Sequence, residues 1–313
     1  MLDTLAKRLL QSIPVLIGVL VLGFLLVQLS PGDPARVFAG AMAPPEVVEQ
    51  IREKMGLDRP LWAQFWGYVE RVLQGDLGRS FISNKTVMSE LAAAIVPTVE
   101  LMLACLIWSI PLGIAMGTLA GVWRGSLVDR AVMAFSVAGV SLPIFFICLL
   151  LIQWFGVKWQ LFPFIGRGGP LWTVDGLRHI ALPALSLGLI FIGPVARMTR
   201  SSVLEVLRLD HVRTARSKGL TERQVILRHG LRNALIPVVT LVGLQAGYLL
   251  GGAVVTETIF SYPGIGRLSV GAILSSDYPL AQGCILVLAL AFILINMIVD
   301  ILYAILDPRV QKR

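Results

Sequence analysis

Asp210-His211-Val212-Arg213-Thr214-Ala215-Arg216-Ser217-Lys218-Gly219-Leu220-Thr221-Glu222-Arg223-Gln224 stands between two long apolar runs and decides how the rest is read. The stretch is too basic to enter lipid, yet it carries helix punctuation. Asp210 is placed to cap a short helix through Lys218. Gly219 can take the left-handed conformation beyond its end, with Leu220 folding back toward Ala215. Thr221 restarts a helix, and Gln224 supplies the other half of a capping box. Two short helices around a glycine elbow are expected to stand clear of the membrane. Val212, Ala215, Leu220, Val225 and Ile226 offer a modest apolar surface, ringed by Arg213, Arg216, Lys218, Arg223 and Arg228. Such a patch suits a docking site and, as well, a membrane-surface hairpin.

Outward from the elbow the chain turns oily. Of its 313 residues 56% are hydrophobic and only 15% charged, and mean hydropathy is +0.79. A soluble domain carries about 25% charged residues. The composition excludes an ordinary soluble enzyme, a disordered chain and a disulfide-knotted domain, and it implies a polytopic membrane protein. Cys105, Cys148 and Cys284 sit singly inside apolar runs and read as small buried hydrophobes. About 20 apolar residues cross a bilayer as a helix. Six stretches qualify: Leu9–Leu29, Thr98–Val122, Ala131–Phe155, Ile180–Met198, Leu235–Thr256 and Ala281–Ile305. Pro183 and Pro194 interrupt the fourth, whose freed backbone groups need neighbouring helices. That span is expected inside a bundle. The first, led by Lys7 and Arg8, is too long for a signal core and reads as a retained helix.

Six spans put both termini on one side. Lys7, Arg8, Arg124, Arg130, Arg309, Lys312, Arg313 and the basic residues from Arg197 to Arg232 then share a side. Short basic loops stay in the cytoplasm, whereas long translocated loops such as 30–97 are exempt. The net charge of +8 therefore reports topology and a nearby membrane surface, not nucleic acid. The chain divides into residues 1–97, a first helix with an extracytoplasmic helical loop, and 98–313, a five-helix core carrying loop 199–234.

Loop 30–97 has its own order. Pro44-Pro45 and Gly56 bracket a short helix. A second runs from about Leu61 to Leu73, with Trp62, Phe65, Trp66, Val69 and Leu73 on one face. That stripe fits the membrane interface or packing against the loop's own helices. Tyr262-Pro263-Gly264-Ile265-Gly266 reads as a turn, not a phosphate cradle.

Glycines at intervals of four form two ridges for close helix packing: Gly113, Gly117, Gly121 and Gly243, Gly247, Gly251. Gln245 and Tyr248 point away from the second ridge. Polar groups at mid-depth avoid lipid, so both are candidates for a transport path or for an interhelical hydrogen bond. Glu100, Glu257 and Asp300 lie near span ends and read as anchors or ion pairs.

No P-loop appears. His179, His211 and His229 lack zinc-site spacing, so no metal site and no catalytic residue is assigned. An intramembrane hydrolase lacks a nucleophile–base pair, and an ATP-independent channel lacks a charge ring or filter. A transporter subunit driven from outside the chain fits better.

The chain resembles the ABC-importer permeases of the dipeptide/oligopeptide/nickel branch. The likeness rests on Arg213-Thr214-Ala215-Arg216-Ser217-Lys218-Gly219-Leu220 and Leu231-Arg232-Asn233-Ala234-Leu235-Ile236-Pro237. It extends through Pro31-Gly32-Asp33-Pro34, Gly56-Leu57-Asp58-Arg59-Pro60, Gly75-Asp76-Leu77-Gly78, Arg197-Met198-Thr199-Arg200-Ser201-Ser202, Thr256-Glu257-Thr258-Ile259-Phe260 and Asp277-Tyr278-Pro279. Where the wider superfamily opens its signature Glu-Ala-Ala, this chain has Arg213-Thr214-Ala215, as the peptide branch does. The resemblance implies an all-α, six-helix type I ABC-importer permease of the bacterial inner membrane. It implies a heterodimer with a second homologous permease, two ABC ATPase subunits holding ATP and Mg, and an extracytoplasmic peptide-binding protein. Arg213, Thr214, Ala215, Arg216, Lys218, Gly219 and Leu220 would form the coupling helix seated in an ATPase groove. The chain itself would bind no cofactor. Its length and the short loop Gly156–His179 look most like dipeptide- or glutathione-type members. Nickel and opine importers share the architecture.

Overall fold

Proline and glycine set several of the helix boundaries in the computed structural model, which describes residues 2–29, 33–40 and 42–306. The helices are α1 (Leu2–Leu29), α2 (Pro34–Ala39), α3 (Pro45–Met55), α4 (Leu61–Leu73), α5 (Val87–Val122), α6 (Leu127–Ser141), α7 (Ile144–Leu151), α8 (Val174–Val206), α9 (Asp210–Ser217), α10 (Glu222–Gln224), α11 (Arg232–Ile259), α12 (Ile265–Leu274) and α13 (Tyr278–Leu306). π-helical stretches Ile152–Lys158 and Val225–Leu231 extend α7 and lead into α11. Among the described residues the only strand-like pairing is an isolated bridge, Arg79 to Thr86. Pro31, Gly32, Arg309, Lys312 and Arg313, and the side chains of Lys7, Arg8 and Asp300, lie outside the described residues.

Among the described residues five helices are long and apolar enough to cross a membrane, or six if one bent pair counts as a span. That pair covers the third expected span, Ala131–Phe155, which is bent rather than one continuous helix. α6 and the α7 stretch meet at 105°. Pro143 has no N–H to give and disfavours helical backbone before it. Leu142 is accordingly extended, at φ −86° and ψ 131°.

Two compact units form. One joins Leu2–Thr98 to Pro263–Ile293; the other holds Val99–Tyr262 with the chain from Leu294. In the first, α3 starts at the prolines and stops at Gly56, as the sequence indicates, with Gly56 left-handed at φ 68°. The Leu57 N–H reaches back to the Arg52 carbonyl at 3.0 Å, closing the helix end. Asp33 caps α2 and pairs with Arg52. α12 starts at Ile265, toward the end of the segment Tyr262–Gly266 read from sequence as a turn. Its Ile265 and Ala272 pack with Val87, Leu91, Ala94, Leu280 and Cys284.

The second unit is built around α8. It runs well beyond Ile180–Met198, and Pro183 and Pro194 leave it unbroken. Leu182, Leu187, Phe191, Ile192, Val195 and Ala196 are buried, so the span does lie inside a bundle. Gly113, Gly117 and Gly121 of α5 all meet it. A Cβ at Gly117 would overlap the Ala196 carbonyl, so that crossing requires a bare backbone. The second ridge is only partly realised. Gly243 sits against Val299 and Gly247 is buried, but Gly251 is exposed and has open space above its Cα.

Candidate functional site

The elbow grows directly from α8. Leu207–Leu209 turn the chain, α9 follows, and Lys218 and Gly219 end it. Gly219 is left-handed at φ 78°, with nothing near its absent side chain, and its N–H donates to Arg216 O at 3.0 Å. Thr221 restarts the helix with both halves of the capping box in place. Asp210 is not the cap expected of it. Leu209 takes that position, its carbonyl accepting from Val212 and Arg213 at 3.0 and 3.2 Å. Asp210 falls inside the first turn, where its charge favours the helix N-terminus and pairs with Arg213 at 3.5 Å.

The apolar residues of the elbow do not form the exposed patch read from the sequence. Val212, Ala215 and Val225 are buried together with Val203, Val206 and Ala234. They give the elbow a core of its own, because α9 folds back over the end of α8 and the start of α11. Arg213, Thr214, Arg216, Lys218, Gly219 and Leu220 remain exposed around it. Thr214 Oγ1 donates to Asp210 O at 2.9 Å. Arg216 forks onto Glu222 across the glycine turn, at 3.1 and 2.6 Å. This pairing holds the Arg216 guanidinium further above its already high range. His211 and Asn233 meet at 3.3 Å, tying α9 to α11. The outer face thus carries Arg213, Arg216, Lys218 and Arg223, two of them paired with Asp210 and Glu222, and the body beneath it is buried.

Gln245 and Tyr248 lie along α11. Tyr248 is 78% exposed and Gln245 half-buried, on the side away from the packed Gly243 and beside the open Gly251. Glu100 is an ion-pair partner, as one reading of the sequence held. The Arg167 guanidinium grips it with bonds of 3.0 and 2.9 Å, and the Leu171 N–H adds a third at 3.4 Å. Glu257 is fully buried in the last turns of α11.

Sequence reasoning missed the Asp129–Arg200 pair, which joins the first turn of α6 to α8. Neither residue has a partner at helical spacing, so only the fold brings them together. Nothing in the sequence sets Arg200 apart, because it follows Arg197 and stands among Thr199, Ser201, Ser202 and Glu205.

Comparison with known proteins places the chain in a family. Residues 109–312 match the family described as binding-protein-dependent transport system inner membrane component. Residues 1–102 match the N-terminal region of such membrane components. The glutathione transport system permease protein GsiC of Escherichia coli strain K12 is 46% identical over 313 residues, covering all of both chains. GsiC of Salmonella typhi is equally similar over the same extent. A solved structure titled as an amino acid ABC transporter with histidines aligns at TM-score 0.49 and 13% identity, over 71% of this chain and 94% of that one.

Proposed function

Because the chain belongs to the inner-membrane components of binding-protein-dependent transport systems, we propose that it forms half of the path by which an ATP-driven importer takes up glutathione or short peptides. It is a transport component, not an enzyme, and works with ATPase and substrate-binding partners. The reading adds a second, homologous permease as the other half of a heterodimer. ATP and Mg belong to the two ATPase subunits, and the extracytoplasmic receptor selects much of the cargo. Residues 1–97 form a first transmembrane helix with an extracytoplasmic helical loop, and 98–313 a five-helix permease core with the cytoplasmic coupling loop 199–234. Both termini lie in the cytoplasm.

The observation that carries the reading is the elbow: a basic outer face on a body with its own buried core. Such a body passes on a push rather than absorbing it. Arg213, Thr214, Arg216, Lys218, Gly219 and Leu220 meet an ATPase groove, and Ala215 holds the helix to α8 and α11 from within. ATP-driven closure of the ATPases then tilts α8 and α11. Gln245 and Tyr248 line the path on the open face of α11. Full-length identity with a glutathione permease supports the cargo class; nickel and opine importers of the same build are the competing reading.

The test is reconstitution of the whole transporter in vesicles. Labelled glutathione and dipeptides should enter only with ATP, both permeases and the receptor. Uptake by this chain alone, or preference for nickel, would overturn it. Gln245→Leu should impair uptake while the complex still assembles; unchanged uptake and stability would remove Gln245 from the path.

A further inference from the structure

The surface of α4 has three sectors. Phe65 and Tyr68 turn toward α1, where Phe65 meets Phe24 edge-on with ring centroids 5.4 Å apart and Tyr68 lies 6.5 Å from the same ring. Gln64 joins this sector, accepting a hydrogen bond from Gln28 at 2.9 Å. Glu70, Arg71 and Gln74 make an exposed polar sector. Between the two, at ~100° per residue, fall Trp62, Trp66, Val69 and Leu73. Trp62 is 70% exposed, Trp66 63% and Leu73 81%. The aromatic stripe of the sequence thus splits: Phe65 packs inward and the tryptophans do not.

Where α4 docks is informative. Gly23, Phe24 and Gln28 lie at the C-terminal end of the apolar run Leu10–Leu29, which is about long enough to cross the hydrocarbon once. α4 therefore meets α1 near the level at which α1 leaves the hydrocarbon. Tryptophan is favoured at that level, with its ring among acyl chains and its N–H among headgroups. Leu22, Leu25 and Leu29 of α1 are exposed too, so this end of α1 also presents apolar side chains outward.

We propose that α4 lies in the bilayer interface at the C-terminal end of α1, with Trp62, Trp66 and Leu73 seated between phospholipid headgroups and the first acyl carbons. The polar sector faces water. On this reading α1 spans the membrane and α4 holds to its surface. This fixes the depth of the outer loop and does not depend on which cargo is carried.

The test uses the full chain in phosphatidylcholine–phosphatidylglycerol vesicles. Trp62→Cys, Trp66→Cys, Glu70→Cys and Gln74→Cys are each labelled with bimane; Cys105, Cys148 and Cys284 are buried and are replaced by alanine. Lipids spin-labelled at the headgroup or upper acyl chain should quench positions 62 and 66 more than lipids labelled deep in the chain. Aqueous iodide should quench 70 and 74 instead. Equal iodide quenching at all four positions would overturn the proposal. So would a stripe at 62 and 66 that iodide reaches in vesicles and that becomes shielded only when the receptor or second permease is added.

Discussion

The Arg200 guanidinium forks onto the Asp129 carboxylate, with Nη2 to Oδ2 at 2.8 Å, and so ties the first turn of α6 to α8 just before the elbow. Asp129 is buried and also accepts the Gly125 N–H at 2.9 Å. Neutralising it leaves a half-buried guanidinium without its anion. Asp129→Asn should therefore destabilise the chain by about 3 kcal/mol, the scale for breaking a buried pair on one side. Arg200→Lys keeps the charge but loses the fork, and should cost less. Thermal unfolding of the purified chain in detergent measures both, and matching melting temperatures across all three proteins would contradict the pairing.

Gly219 is the second test. An L-residue in left-handed backbone pays about 1–2 kcal/mol, more when branched at Cβ. Gly219→Val should disturb the turn that sets α9 against α10, while Gly219→Asn should be tolerated. In the assembled transporter, Gly219→Val is expected to lower uptake per ATP hydrolysed. Normal uptake and normal ATPase stimulation by that variant would argue against the left-handed turn as part of the coupling.

How far the sequence reached depends on the range over which each interaction acts. The Pro45 start, the Gly56 stop, the Thr221–Gln224 box and the left-handed Gly219 are local, and local residues announced them. The burial of α8 was legible because two prolines in a span demand protein neighbours. The fate of Val212, Ala215 and Val225 was not: an apolar set amid arginines looks the same whether it faces outward or folds back on the end of α8. Pro143 was visible, but α6 and α7 together still have the length of one span, and composition does not register a bend. The Arg167–Glu100 and Arg200–Asp129 forks bridge residues 67 and 71 apart, beyond any spacing rule.

The α5–α8 crossing gives a third prediction. At Gly117 the neighbour is backbone, the Ala196 carbonyl, which cannot swing aside as a side chain would. Gly117→Leu should cost about 3 kcal/mol or prevent folding, at the upper end for overpacking. Gly251 supplies the contrast: open space above it means Gly251→Ala should leave the isolated chain's melting temperature unchanged. Expression and size-exclusion profiles in detergent, followed by melts, check the pair. A stable, monodisperse Gly117→Leu chain would show that the helices are not in contact there.

Tyr262 gives a prediction in pH. It is buried just past α11, its N–H bonded to Glu257 O at 2.8 Å. Burial, aided by the Glu100 charge, pushes its phenol up to about 12, with Arg167 opposing. A free tyrosine ionises near about 10. The unfolded chain therefore releases this proton first as pH rises. The stability tied to the neutral phenol is present in full below about pH 10 and fades as pH climbs toward 12. Tyr262→Phe removes that titration, so the variant should lose less stability than the parent over this window. The difference in phenolate absorbance between parent and variant should appear late, near the top of the window. A difference that titrates with free tyrosine would mean that water reaches the ring.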